Sequence, residues 1–127
     1  AVFTYRSAYY YHSLTDVIPD YFYLATKRED SRIKDKRVKQ SYLLGEIFNP
    51  GIEQISYNNI QIRVYNKERM LVELMRFKSK MPFDYYKEII QNYRRIAEEM
   101  DFGLVEDYAY MFHNGENIMN QIQLEVL

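Results

Sequence analysis

The chain has 127 residues, 47% of them hydrophobic and 28% charged, with a formal net charge of −1. That length suits one domain with one buried core, and the near-neutral balance argues against a nucleic-acid binder that works through overall charge. There is no Cys, which excludes disulfides, thiolate metal sites and cysteine nucleophiles.

No apolar run reaches the roughly 18 residues of a membrane span, and no secretory leader precedes the fold, so a cytoplasmic protein without membrane contact is the expectation. Aromatic residues make up 17%, and 14 of them are Tyr. Tyr carries a large apolar ring with a polar tip, so it serves either the rim of a core or a binding surface. The start, Ala1-Val2-Phe3, has no initiator Met, as expected of a piece of a longer protein.

Ser7–Leu14 is a short helix candidate with Ala8 and Tyr11 on one side, stopped by Asp16-Val17-Ile18-Pro19, because Pro pushes its predecessor toward extended geometry. Tyr21–Thr26 is rich in aromatic residues and suits a strand. The segment 27–39 follows as a charged loop or strand entrance. Its seven Lys/Arg (Lys27, Arg28, Arg32, Lys34, Lys36, Arg37, Lys39) face three acids, a net +4 against −5 for the rest of the chain. Gln40–Leu44, extendable back to Val38, suits a further strand.

The middle of the chain carries the strongest pattern. Asn49-Pro50-Gly51 is a break. Gly51–Tyr57 and Ile60–Tyr65 pair as a hairpin about Asn58-Asn59, since Asn tolerates the positive φ of a primed turn. In the second strand Ile60, Ile62 and Val64 alternate with Gln61, Arg63 and Tyr65, which predicts an apolar and a polar face. Asn66 then stands as an N-cap, Glu68 as a first-turn acid, and Met70, Leu71, Leu74, Met75 and Phe77 as one apolar stripe. Asp84–Met100 is the longest helix, with Ile89, Ile90, Tyr93, Ile96, Ala97 and Met100 inward. Another helix begins at Gly103 and stops at Asn114-Gly115, Gly supplying left-handed geometry. A last helix carries Ile118, Met119, Ile122 and Val126. Strands first and helices after predict an α+β fold, a small mixed or antiparallel sheet with a hairpin followed by three or four C-terminal helices.

No catalytic, cofactor-binding or metal-binding residue set stands out. His12 and His113 are the only histidines and have no ligand spacing. His12 near Asp16 suits an acid–base pair or, more simply, a histidine hydrogen-bonded beside a helix end. Glu53 with Arg63 offers charges of the kind a Mg²⁺-dependent nuclease uses, without its strand spacing. Glu68 and Glu73 read as capping and as surface or structural acids. There is no phosphate-cradling Gly-rich motif and no nucleophile elbow. The basic segment with Tyr9, Tyr10, Tyr21 and Tyr42 nearby suits an RNA- or nucleotide-binding surface, since rings stack on single strands and cations meet phosphates.

A set of motifs goes further. Ser7-Ala8, His12, Leu14-Thr15 and Pro19 form an S-A-x-x-x-H-x-L-T-x-x-x-P segment; Tyr23–Arg28 reads YLATKR; Gly51, Ile52 and Ile55 open the hairpin; Glu68-Arg69-Met70-Leu71-Val72-Glu73 opens the helix. In this order over nearly the whole chain, they resemble the C-terminal domain of the AbiEi family, the antitoxin halves of abortive-infection (type IV) toxin–antitoxin systems. The chain departs at Met70, where Thr is usual, and at Glu73, where Asp is usual. The resemblance implies a non-enzymatic antitoxin that counters a nucleotidyltransferase-like toxin, with direct contact between the two not implied. It also implies operator DNA binding and autorepression only through an N-terminal winged helix-turn-helix, which does not fit in this chain and whose end would fall near residues 1–6. The motif residues Ser7, His12, Asp16, Pro19, Gly51, Glu68, Arg69 and Glu73 carry structural roles under this reading, Arg69 pairing with an acid such as Asp16.

Overall fold

The computed structural model describes residues 1–127. The fold is α+β: a five-stranded mixed sheet and six helices, the helices concentrated in the second half. The chain divides into two compact units, Ala1–Asn66 and Lys67–Leu127. No helix is long and apolar enough to cross a membrane.

The first unit is the sheet, in the order β3-β2-β1-β5-β4. Its middle strand, β1 (Val2–Phe3), is only two residues long. It runs antiparallel to β2 (Phe22–Lys27), Val2 opposite Ala25, and parallel to β5 (Ile60–Tyr65), Phe3 opposite Val64. Two residues are too few to show a period, so the sequence carries no strand signal there. Val2, Ala25 and Val64 are all fully buried, as central positions of a sheet require.

β1 leads into α1 (Tyr5–Tyr11), which starts and stops earlier than its spacing predicts. It ends in a Schellman turn. Ser13, at φ 60°, takes the left-handed position; its N–H donates to Tyr10 O, and that of Leu14 donates to Tyr9 O. The helix is thus closed well before Pro19. The Ser7 hydroxyl accepts from the Tyr23 N–H at 2.9 Å and so ties α1 to β2.

β2 and β3 (Val38–Leu43) are parallel, Phe22 opposite Val38 through Lys27 opposite Leu43. Parallel neighbours need a crossover, usually a helix; here residues 28–37 return without one. A six-residue strand spans about 20 Å, so this connection has little slack. Gln40 fastens it: its Oε1 accepts from the Ile33 N–H at 2.7 Å, and its Nε2 donates to Thr26 Oγ1 at 2.9 Å and Ser31 O at 3.2 Å.

A helical turn, α2 (Gly45–Phe48), precedes the hairpin of β4 (Ile52–Tyr57) and β5. The turn residues Asn58 and Asn59 have φ of 49° and 65°, as a primed turn demands, and Gly51 has φ 89°, where a side chain would be strained. The two-faced pattern of β5 holds from Gln61 to Val64 and fails at both ends of the strand. Ile60, on the expected apolar face, is 64% exposed at the tip, whereas Tyr65, on the expected polar face, is fully buried. Tyr65 tolerates burial because its hydroxyl donates to Phe48 O at 2.6 Å.

The second unit is helical: α3 (Lys67–Phe77), α4 (Phe83–Ile96), α5 (Phe102–Ala109) and α6 (Gly115–Glu125), with α3 packed against α5 and α6. Instead of one apolar stripe, α3 buries every residue from Arg69 to Met75. The long helix expected to reach Met100 breaks at Ile96 into a 3₁₀ turn, and Asp101 then caps α5 by accepting from the Leu104 N–H at 3.2 Å. Gly115 opens α6 rather than stopping α5. A Cβ there would lie 2.6 Å from Ala109 O, so glycine permits a close backbone approach, and its φ is not left-handed.

Candidate functional site

The basic segment becomes the crossover between β2 and β3 and the beginning of edge strand β3. Arg32, Lys34, Asp35, Lys36, Lys39 and Tyr42 line an open cavity of about 750 Å³ there. Only one acid lies in its wall, and it is already occupied. Asp35 accepts from Arg37 Nε at 3.1 Å and Nη2 at 2.7 Å, and this pairing together with the Arg37 backbone N–H holds its carboxyl down at about 2. Arg32, Lys34, Lys36 and Lys39 have no carboxylate partner. Lys27 and Arg28, at the end of β2, lie outside this wall.

Beside it lies a mainly aromatic recess of about 310 Å³, lined by Tyr10, Tyr11, Tyr21 and Phe22 with Ile18, Pro19 and Arg37, and by one acid, Asp20, whose carboxylate accepts from the Tyr23 hydroxyl at 2.8 Å. The two hollows share a boundary. Tyr21 lines the recess while its ring carries the Lys39 ammonium 4.5 Å from the centroid, and Arg37 sits 5.9 Å over Phe22. The recess wall is braced from behind: the Tyr11 ring meets Phe3 and Tyr57 edge-on, at 4.9 and 4.8 Å. Phe22 and Ile18 remain 41% and 74% exposed, apolar surface left to water.

Tyr9 does not belong to this surface. It is fully buried, because residue 9 of α1 faces the core while residue 10 faces out. Of the expected rings, Tyr10 and Tyr21 meet in the recess, and Tyr42 stands at the cationic cavity with 45% of its surface exposed.

The remaining candidates are fastened as framework. His12 closes α1 and is nearly buried; its Nε2 donates to Tyr65 O at 2.7 Å and lies 3.8 Å from the Glu53 carboxylate. A nitrogen bonded to a backbone carbonyl is a brace rather than a free base. Glu53 and Arg63 are not brought together as a nuclease would need. Glu53 stands opposite Val64 and Arg63 opposite Gln54, so strand alternation sends them to opposite faces. Arg69, fully buried, donates to Glu73 Oε2 from Nε and Nη2 at 3.3 and 3.2 Å, and Glu73 also accepts from Arg76. Glu68 accepts from the Asp101 N–H at 3.1 Å, fixing the approach to α5. No group of three His, Asp or Glu side chains is placed to hold a metal ion.

Gln40 and Phe22 were not legible as site residues. A lone Gln in a polar strand and a Phe at a strand's first position carry no signal until the crossover returns over them. A scan against protein-family models and a search of curated proteins each find no match to this chain.

Proposed function

We propose that this chain is an antitoxin domain of the AbiEi type, acting against a nucleotidyltransferase-like toxin without catalysing a reaction itself. The observation that carries the reading is where the resembling residues fall. In chain order they lie on α1 and the segment that follows it, β2, the hairpin and the first two turns of α3. Ser7, His12, Arg69 and Glu73 are buried and hydrogen-bonded into the backbone or to each other. Motif residues of this kind specify a shape, and a shape without a reaction centre suits a protein that acts through its surface.

The test is co-expression of the 127-residue chain with a nucleotidyltransferase-like toxin encoded beside it. Restored growth is expected, and it should survive His12→Gln, which keeps a donor to Tyr65 O. A folded, well-expressed chain that leaves the cells arrested would overturn the reading.

A second reading is nucleic-acid binding, favoured by the unpaired cations beside the aromatic recess. It is compatible with the first if the antitoxin acts by protecting or sequestering a nucleic-acid target of the toxin.

A further inference from the structure

We propose that the cationic cavity and the aromatic recess form one grip for single-stranded nucleic acid. Phosphates lie over Arg32, Lys34, Lys36 and Lys39, and an unstacked base enters the recess against Phe22 and Tyr10. The proposal rests on the nucleic-acid reading, not on the antitoxin one.

Charge selects the class of ligand. Four cations surround one cavity whose only acid is clamped by Arg37, so the field there is positive although the chain as a whole is not. A chain of anions spaced along a strand satisfies several such cations at once. The neighbouring recess selects within that class. An acidic peptide would gain nothing from a hollow of Tyr and Phe rings, whereas a nucleobase has a flat face to stack on them. At about 310 Å³ the recess lies at the small end of ligand pockets, of a size for one ring system. Bases within a duplex are already stacked and cannot enter it. The shared boundary, Tyr21 beneath Lys39, places phosphate and base sites next to each other, as in one nucleotide. Gln40 holds the crossover to the strand, so the cations are displayed on an anchored segment rather than a slack one.

The experiment is fluorescence anisotropy of the full chain with a labelled oligouridylate of about 12 nucleotides, within the length such grooves cover, titrated from about 50 to 200 mM KCl. Binding is expected with a log–log salt slope near −3, about −0.7 for each of four neutralised phosphates. Lys34→Glu with Lys36→Glu, both exposed, should cut affinity about tenfold or more and flatten that slope. Phe22→Leu keeps apolar bulk and removes the ring; it should weaken binding about tenfold and leave the slope unchanged. The same oligomer annealed to oligoadenylate should bind less well.

Absence of binding at the lowest salt would overturn the nucleic-acid reading and the grip together. Equal affinity for single strand and duplex, with Phe22→Leu and Tyr42→Ala both neutral, would leave the nucleic-acid reading standing and overturn the grip. Displacement of the oligomer by polyglutamate at matched charge would also overturn it, by showing a general polyanion surface.

Discussion

Arg69 is the largest side chain that the fold hides completely from water. Its charge is met one turn along α3 by Glu73, which is shared with Arg76. A buried charge with a partner is tolerable; one whose partner is removed is not. Arg69→Ala leaves Glu73 short of a partner and opens a void, and it should cost about 3–5 kcal/mol. A melting temperature equal to the parent's would refute that. Arg69→Met, which keeps most of the volume, should lose less. This pair shows why residue roles were only partly legible. Spacing alone puts Arg69 and Glu73 on one helix face, but charges at helical spacing ordinarily face water, and here the whole turn is enclosed. His12 was readable as a helix-end histidine; its acceptor, the carbonyl of Tyr65, was not, because no local pattern joins residues so far apart in sequence.

At the scale of elements, periodicity and composition found the longer strands and helices but neither β1 nor α2, and cap chemistry decided how well their ends were found. Asn58-Asn59 announced the hairpin because the turn needs two positive φ values and Asn supplies them. Ser13 gave no such notice, since Ser rarely takes the left-handed position that closes α1. Gly115 misled for the opposite reason: glycine usually marks a helix stop, but here it serves a close contact. The end of α6 is held by side chains. Glu125 is bonded to Lys78 Nζ at 2.5 Å, and Arg94 Nε donates to its carbonyl oxygen at 2.5 Å. The Lys78 bond keeps the Glu125 carboxyl below its ordinary range. A carboxyl lowered by folding stabilises the folded state fully above its unfolded pKa of about 4.3, and the benefit disappears as pH falls through the lowered folded value. The parent should therefore lose melting temperature across that acid window more steeply than Glu125→Gln, while the two curves run parallel above it. Because Glu125 is partly exposed, the difference should be modest and should shrink in salt.

For the whole molecule, the α+β class followed from strands preceding helices, and the five-stranded order did not. A mixed sheet with its shortest strand in the middle cannot be deduced from patterns read one strand at a time. Pairing of β1 with both β2 and β5 makes Val2 a central position, fully buried. Val2→Asp places a charge there without a partner and should cost at least about 3 kcal/mol. Hydrogen exchange should show amides of both β2 and β5 losing protection together, whereas Val2→Ile should preserve it. Loss confined to one of the two strands would contradict the central role.

A sheet joined across two residues is also a mechanical fuse. The β2–β3 and β4–β5 ribbons are each paired along six-residue strands, yet within the sheet itself they are joined only through the registers at Val2 and Phe3. Tension drawn through the backbone ahead of Val2 would bear first on those few bonds. Each ribbon would stay zipped along its own ladder, and α1, bonded to Tyr23 on one side and to Tyr65 on the other, would be the next tie loaded. Any segment joined ahead of Val2 therefore holds a lever on the whole sheet.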